Sequence, residues 1–574
     1  MDFWLWRLFF VALAEILLFH GFCSSEQAPN YSFMQQASSA PPVSYYDYII
    51  IGGGTAGCPL AATLSQNSTV LLLERGPSPY GNPNITEISS FGRALSDLSP
   101  ASPAQRFISE DGVINARARV LGGGSCINAG FYTRAAAGYV AAAGWDGRLV
   151  NESYEWVEKV VAFEPPMKQW QSAVRDGLLE AGVNPYNGFT YDHLNGTKVG
   201  GTIFDGEGRR HTAADLLQYA NPKGLTVMLH ASVHKILFSI KGKKRPLAHG
   251  VIFRDVSGKK HKAYLKDGEK NEVILSAGAL GSPQLLMLSG VGPLDQIKAH
   301  NITLVLDQPL VGQGMADNPM NAIFIPSPNP VEVSLIQVVG ITRYGSYIEA
   351  ASGENFAGGS ATRDFGLFSP RIGQLSSVPP KQRTPEALAA AITAMEALNP
   401  IVFNGGFILE KIRGPLSQGH LRLVNTNPND NPSVTFNYFQ HPEDLHRCVE
   451  GLRVIERVIQ SRPMAAFRYD YLSLPLLLNM SANAPVNLLP HHANVSTSLE
   501  QFCRDTVMTI WHYHGGCRTG SVVDSDYRVI GIDGLRVVDG STFHDSPGTN
   551  PQATVMMLGR YMGVKILQER LGNS

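Results

Sequence analysis

Six consecutive residues, Gly52-Gly53-Gly54-Thr55-Ala56-Gly57, restrict the fold of this chain more than any other segment. They follow an apolar, β-branched run, Tyr45 to Ile51, suited to a strand buried inside a parallel sheet. They open a helical stretch, Ala56 to Ser65, and a second buried run, Val70 to Leu73, ends in Glu74. That succession is a βαβ unit of about 30 residues. In the pattern G-x-G-x-x-G, Gly52 lets the chain turn tightly, Gly54 lets a pyrophosphate approach the backbone, and Gly57 lets helix and sheet close up. The helix start, at Thr55 and Ala56, offers free N–H groups and the positive end of a dipole to phosphate. Glu74 lies 22 residues beyond Gly52, where a carboxylate reaches ribose hydroxyls, and Arg75 follows it. The unit predicts a dinucleotide site and leaves FAD and NAD both open.

With 574 residues the chain exceeds one hydrophobic core, so at least two domains are expected. Lys plus Arg number 47 against 48 Asp plus Glu, with no basic stripe, which excludes a nucleic-acid footprint and points to a small-molecule partner. Arg7 followed by the apolar run Leu8 to Phe19 and the small residues Cys23, Ser24 and Ser25 reads as an export signal over residues 1–25. Glu15 interrupts that run, and a stable span needs about 20 apolar residues, so no stable membrane span is expected. Eight glycosylation sequons, beginning at Asn30, Asn67, Asn84, Asn151, Asn195, Asn301, Asn479 and Asn494, fit a secreted glycoprotein. Cys58, Cys126 and Cys517 sit in glycine-rich segments, whereas Cys448 and Cys503 do not. In an oxidising compartment the latter two are therefore expected to form a disulfide.

Residues 26–44 read as a linker or ordered arm. The buried-strand pattern returns at Glu272 to Leu275 and at Leu535 to Val538, while Thr226 to Phe238 and Ala248 to Phe253 alternate like antiparallel strands. Between about 315 and 500 lie amphipathic helices, Pro385 to Ala397 and Asp444 to Ile459, and strand-like pieces, Phe407 to Lys411 and His420 to Val424. We expect an α/β chain with a discontinuous nucleotide-binding domain. Its parts are residues 45–314, carrying some substrate-domain segments, and a C-terminal segment at 501–574; residues 315–500 are mainly substrate domain. No Cys/His or His/carboxylate spacing suits a metal.

Two further segments turn the reading toward flavin. Ala118 to Asn128 reads ARVLGGGSCIN, and Gly278 to Gly292 reads GALGSPQLLMLSGVG. Together they resemble, nearly position for position, the two signatures of the glucose–methanol–choline (GMC) oxidoreductases, and the likeness runs from Tyr45 to Leu571. The resemblance implies the FAD-binding Rossmann-like GMC fold, with an inserted substrate domain containing an antiparallel sheet and helices. It implies phosphate contacts at Gly52 to Gly57, ribose contact from Glu74, and adenine-side contact near Val233. Isoalloxazine contacts are implied from Val120, Gly124, Ser125, Asn128, Ala129 and Gly130. Some members tether FAD through a histidine near the second glycine cluster; none stands between Asn115 and Arg134 here, so FAD is expected to be non-covalent.

Thr509 to Gly516 reads TIWHYHGG, and Gly548 to Ala553 reads GTNPQA. An alcohol's O–H proton must leave as its C–H hydride departs, and imidazole accepts protons near working pH. In the GMC family the base is followed at the third position by glycine; Gly515 follows His512 so, which selects His512 and leaves His514 structural or supporting. Asn550 matches the family's second catalytic position, His in some members and Asn in others, and its amide can hold the substrate oxygen. Trp511 would pack on the flavin or wall the substrate pocket. Asp539 and Gly540 would contact the ribityl or pyrophosphate region, and Pro551 and Gln552 would lie beside the flavin, with Gln552 and the helix from Ala553 turning N–H groups to its pyrimidine oxygens. His211 and Asp317 read as structural.

Within the family the likeness is nearest to plant HOTHEAD-like proteins, carried by NARARVLGGGSCINAGFY from Asn115, TIWHYHGGC from Thr509 and SPGTNPQAT from Ser546. It implies a cuticle role, oxidising long-chain ω-hydroxy fatty acids with His512 as base and hydride passing to flavin N5. Plant mandelonitrile lyases share the WHYHGG cluster and imply the alternative of cyanohydrin cleavage with structural FAD, although the similar lyases carry His where Asn550 stands. A catalytically silent extracellular flavoprotein is a third reading.

Overall fold

The computed structural model describes residues 29–572 apart from 30, 92–94, 96, 98, 330, 353–385, 387–404 and 483–486. The export signal at 1–25, Asn30, and nearly all of the helix expected at 385–397 lie outside the described residues.

The runs of unalternated Ile, Leu and Val have nowhere to go but a sheet covered on both faces. They form a six-stranded, wholly parallel sheet in the order Met34–Gln36, Leu225–Leu229, Val70–Leu73, Tyr48–Ile51, Glu272–Leu275 and Leu535–Val537. Ile51 pairs level with both Leu73 and Leu275, so Gly52, Glu74 and Ser276 emerge side by side at one edge. Ligands of open parallel sheets bind at that edge, where strands end and helices begin.

Two expectations need correction. The run from Tyr45 to Ile51 is not one strand: Asp47 accepts hydrogen bonds from Thr69 N at 2.8 Å and Thr69 Oγ1 at 2.7 Å, which breaks it there. Val43–Tyr46 then joins Lys260–Leu265 in a second sheet, while Tyr48–Ile51 enters the parallel one. Likewise Thr226 to Phe238 is not antiparallel throughout. Leu225–Leu229 is a parallel strand; the chain turns at His230, whose φ is 55°, and only Ser232–Ser239 pairs antiparallel, with Leu247–Arg254. Within the segment expected as a linker or arm, residues 26–44, Met34–Gln36 is a strand of the parallel sheet, and the segment ends inside Val43–Tyr46, a strand of the second.

A third sheet has seven strands in the order Met508–Thr509, Pro319–Pro326, Gly405–Ile412, Ser346–Ser352, Val338–Ile341, Gly196–Val199 and Tyr186–Phe189. One face buries Ile325, Ile348 and Ile408 against the helices Gln169–Glu180 and Pro442–Gln460. The other presents Met320, Ala322, Leu409, Val339 and Tyr347 toward Phe131, Ile510 and Trp511. The segment after residue 500 serves both layers, since Met508–Thr509 joins this sheet and Leu535–Val537 the parallel one.

The C-terminal helix, Gln552–Leu571, crosses the Gly57–Leu64 helix through bare Cα positions: a Cβ on Gly559 would lie 2.2 Å from Ala56 O. Cys448 and Cys503 form the expected disulfide, tying Pro442–Gln460 to Leu499–Asp505 across 6.4 Å between Cα atoms. Cys58, Cys126 and Cys517 are buried free thiols. Asn67, Asn84, Asn151, Asn195, Asn301, Asn479 and Asn494 are all exposed. No helix among the described residues is long and apolar enough to cross a membrane.

Candidate active site

A deep cavity follows the edge where the parallel strands end. Its walls include Gly52, Gly54, Thr55, Ala56, Glu74, Arg75, Val120, Gly124, Asn128, Ala129, Gly130 and Val233 from the first half of the chain. The C-terminal segment contributes Trp511, His512, Asp539, Gly540, Asn550, Pro551 and Gln552 to the same cavity. Two residues expected at the ligand stand behind the wall. Gly57 permits loop closure, since a Cβ there would lie 2.0 Å from Gly52 O. Ser125 donates to Gly122 O at 2.7 Å and accepts from Ala213 N at 2.9 Å, which holds the second glycine loop in shape.

Several side chains that line the cavity also brace the backbone around it. Glu74, buried, accepts Gly53 N at 3.0 Å and Gly76 N at 2.7 Å; burial pushes its carboxyl above the usual range despite these donors. Arg75 donates to Ala118 O at 3.0 Å, and burial brings its guanidinium down to about 10. Asp539 accepts from Ser282 Oγ at 2.6 Å, Gly278 N at 2.9 Å and Ser541 N at 2.8 Å, so its carboxylate joins the two strand ends. Asn128 donates to Gln552 Oε1 at 2.8 Å, and Gln552 Nε2 donates to Phe131 O at 2.6 Å, which fixes Gln552 at the cavity wall.

The catalytic end is built on Asp317, which is almost wholly buried. It accepts hydrogen bonds from Thr509 Oγ1 at 2.6 Å, Tyr438 Oη at 2.5 Å and the His512 backbone N at 3.0 Å. Burial pushes its carboxyl up to about 7 in spite of those donors. Thr509 Oγ1 accepts the Trp511 N–H at 2.7 Å, and between these clamps Trp511 is held at a φ of 59°. A bulky residue reaches that region only where its surroundings impose it, at a cost of about 1–3 kcal/mol. The turn sends Trp511 and His512 into the cavity. Asp317, read from the sequence as structural, takes its hydrogen bonds from the residues that make this turn.

His512 Nδ1 faces Asn318 Nδ2 at 3.1 Å and Tyr347 Oη at 3.4 Å, which leaves Nε2 for the cavity that the ring lines. Burial, helped by the charges of Lys411 and His514, pushes its pKa well below the usual imidazole range, so the ring is neutral at ordinary pH. His514 does not line the cavity; its Nδ1 lies 2.9 Å from His512 O, and its backbone pairs with Ala316. Asn550 does, and its Oδ1 is buried with no hydrogen-bond partner among the described residues. His211 packs its ring at a tilt against Phe163, with centroids 4.8 Å apart, and meets Asp205 at 3.3 Å, away from the cavity. Sequence reasoning passed over Asn318 and Tyr347. The Asp-Asn pair ahead of an apolar strand was a usable signal for the first, and Tyr347 carried none.

The cavity fits a dinucleotide bearing a broad ring. Cβ atoms on Gly278 or Gly540 would meet nothing within 4 Å, so these bare Cα positions open onto space a ligand fills. The orphaned Asn550 Oδ1 also points to a missing polar partner at the cavity's catalytic end. Among the described residues no group of three or more His, Cys, Asp or Glu side chains could hold a metal.

A parallel sheet with a glycine-lined edge, roofed by a mainly antiparallel sheet, is the frame of the GMC oxidoreductases, and the chain belongs to that family: residues 46–320 and 415–559 match its two domains. It is an FAD-dependent oxidoreductase. It is 57% identical to Protein HOTHEAD of Arabidopsis thaliana, over 92% of this chain and 89% of that one. Identity to the (R)-mandelonitrile lyase-like protein of the same plant is 48%, over 94% and 93%. The crystal structure of pyridoxine 4-oxidase from Mesorbium loti superposes with a TM-score of 0.69 at 21% identity, covering 90% of this chain and 98% of that one, a likeness of fold.

Proposed function

We propose that the chain is a secreted alcohol oxidoreductase in which His512 takes the hydroxyl proton of the substrate, and that its substrates are long-chain ω-hydroxy fatty acids of the plant cuticle. The observation that carries the reading is His512, a neutral ring with Nδ1 turned to Asn318 and Tyr347, lining the same cavity as the glycine edge and Asn550, whose Oδ1 has no partner among the described residues. FAD, when bound, supplies the acceptor for the hydride of the carbinol carbon. Gly52 to Ala56 would cradle its pyrophosphate and Glu74 its ribose; His512, the one histidine on the described wall, serves as base, which favours non-covalent retention. The Asn550 amide holds the substrate oxygen while His512 removes its proton. Phe131, Ile336, Ile510 and Trp511 make the catalytic end apolar, which suits an alkyl chain.

Cyanohydrin cleavage is the second reading, favoured by the 48% identity to the lyase-like relative. Asn550 weighs against it, because an amide cannot titrate where the similar lyases place imidazole. Export is supported by the N-terminal pattern, the disulfide and the seven exposed sequon asparagines. Anaerobic titration of the yellow protein with an ω-hydroxy fatty acid is expected to bleach the flavin, and racemic mandelonitrile is expected to release no benzaldehyde. Benzaldehyde without bleaching selects the lyase; a flavin that no alcohol bleaches, with no benzaldehyde, selects the silent flavoprotein.

A further inference from the structure

His512 can remove a proton at Nε2 only in the tautomer that carries hydrogen on Nδ1. Its Nδ1 has two neighbours of opposite character. Asn318 Oδ1 accepts the Gly414 N–H at 3.2 Å, and Nδ2 donates to Ser546 Oγ at 3.1 Å; a flipped amide would set its NH2 against the Gly414 N–H. Asn318 therefore presents a donor to Nδ1, which stabilises the tautomer with hydrogen on Nε2, a form without basicity toward the cavity. Tyr347 does the reverse. Its hydroxyl donates to Thr549 O at 2.8 Å, so only oxygen lone pairs remain for Nδ1. No other acceptor faces Nδ1 among the described residues.

Tyr347 stands on the inner face of the seven-stranded sheet, opposite Lys411 on the neighbouring strand, and is buried with it. The phenol is thus fixed by a rigid element and by its own hydrogen bond.

We propose that Tyr347 is a positioning residue that selects the basic tautomer of His512 by accepting its Nδ1–H, against the opposing pull of Asn318. The inference rests on the reading of His512 as base. Proton uptake at Nε2 then yields an imidazolium whose Nδ1–H keeps the same acceptor, so Tyr347 serves the ring in both protonation states. Tyr347→Phe leaves Nδ1 facing only a donor. Asn318→Asp replaces that donor with a carboxylate oxygen, while the other oxygen can still accept from Gly414.

The test uses FAD-loaded protein with 15N-labelled histidine, the His512 signals being assigned by their loss in His512→Ala. Wild type is expected to show Nδ1 protonated and Nε2 bare. Tyr347→Phe reverses this and slows flavin reduction on the order of 100-fold, with KM and flavin content retained. Tyr347→Phe combined with Asn318→Asp restores both the tautomer and most of the rate. An identical tautomer in wild type and Tyr347→Phe overturns the proposal, as does a double variant that keeps the reversed one. The nuclear signals do not depend on turnover, so a wild-type protein that oxidises no alcohol sinks the functional reading separately.

Discussion

Around His512 the protein has placed an imidazole where burial, Lys411 and His514 all disfavour its charge. A base must be neutral to act, and with its pKa well below 6.5 it stays neutral as pH falls through that value. The rate of flavin reduction is therefore expected to hold from pH 8 to pH 6 and to fail only in stronger acid. An acid limb centred near 6.5 in stopped-flow profiles would contradict this. His512→Ala is expected to stay yellow while reduction slows on the order of 100- to 10,000-fold. Undiminished reduction in that variant removes His512 from the mechanism. Asp317 shows the opposite shift: its pKa of about 7 in the fold exceeds the ordinary 3.8. Its contribution to stability is fully present below about pH 4 and is lost as pH rises through 7, up to about 4 kcal/mol. Asp317→Asn is expected to lose that slope, read as the difference between wild-type and variant unfolding across pH 4 to 8.

Two elements depend on close approach. The C-terminal helix meets the nucleotide-loop helix at Gly559, where even one methyl would lie 2.2 Å from Ala56 O. Gly559→Val is expected to push the helices apart, cost about 1–3 kcal/mol, and weaken FAD retention, measured by thermal unfolding and by flavin content after gel filtration. A fully loaded variant of unchanged Tm would refute this. The Cys448–Cys503 bond closes a loop of 55 residues. Chain-entropy arguments assign such a crosslink about 4 kcal/mol. Replacing both cysteines by serine is expected to lower Tm, and reductant is expected to lower the wild type toward the same value while leaving the variant unmoved.

Over the whole molecule, the cavity is walled by the parallel sheet's edge, the Phe131 region and the segment after residue 500, distant in sequence. A ligand that binds only the folded chain stabilises it, by about 4.1 kcal/mol at a concentration 1,000 times Kd. Added FAD is therefore expected to raise the Tm of flavin-stripped protein in proportion to log concentration, as calorimetry would record.

Local sequence determined what needs only a few adjacent residues: the turn at Gly52 to Gly57, the buried strands at Val70–Leu73 and Glu272–Leu275, and the WHYHGG segment, because tight turns and fully covered strands admit few residue types. Where the Tyr45–Ile51 run breaks was decided by Asp47 meeting Thr69, and Thr226 to Phe238 was split between two sheets. Only the tertiary structure brought Asp317, Asn318 and Tyr347 around His512, nearly two hundred residues away for the first two. Such partnerships leave no spacing signal, since a hydrogen bond across a fold depends on where strands are laid, not on the residues between.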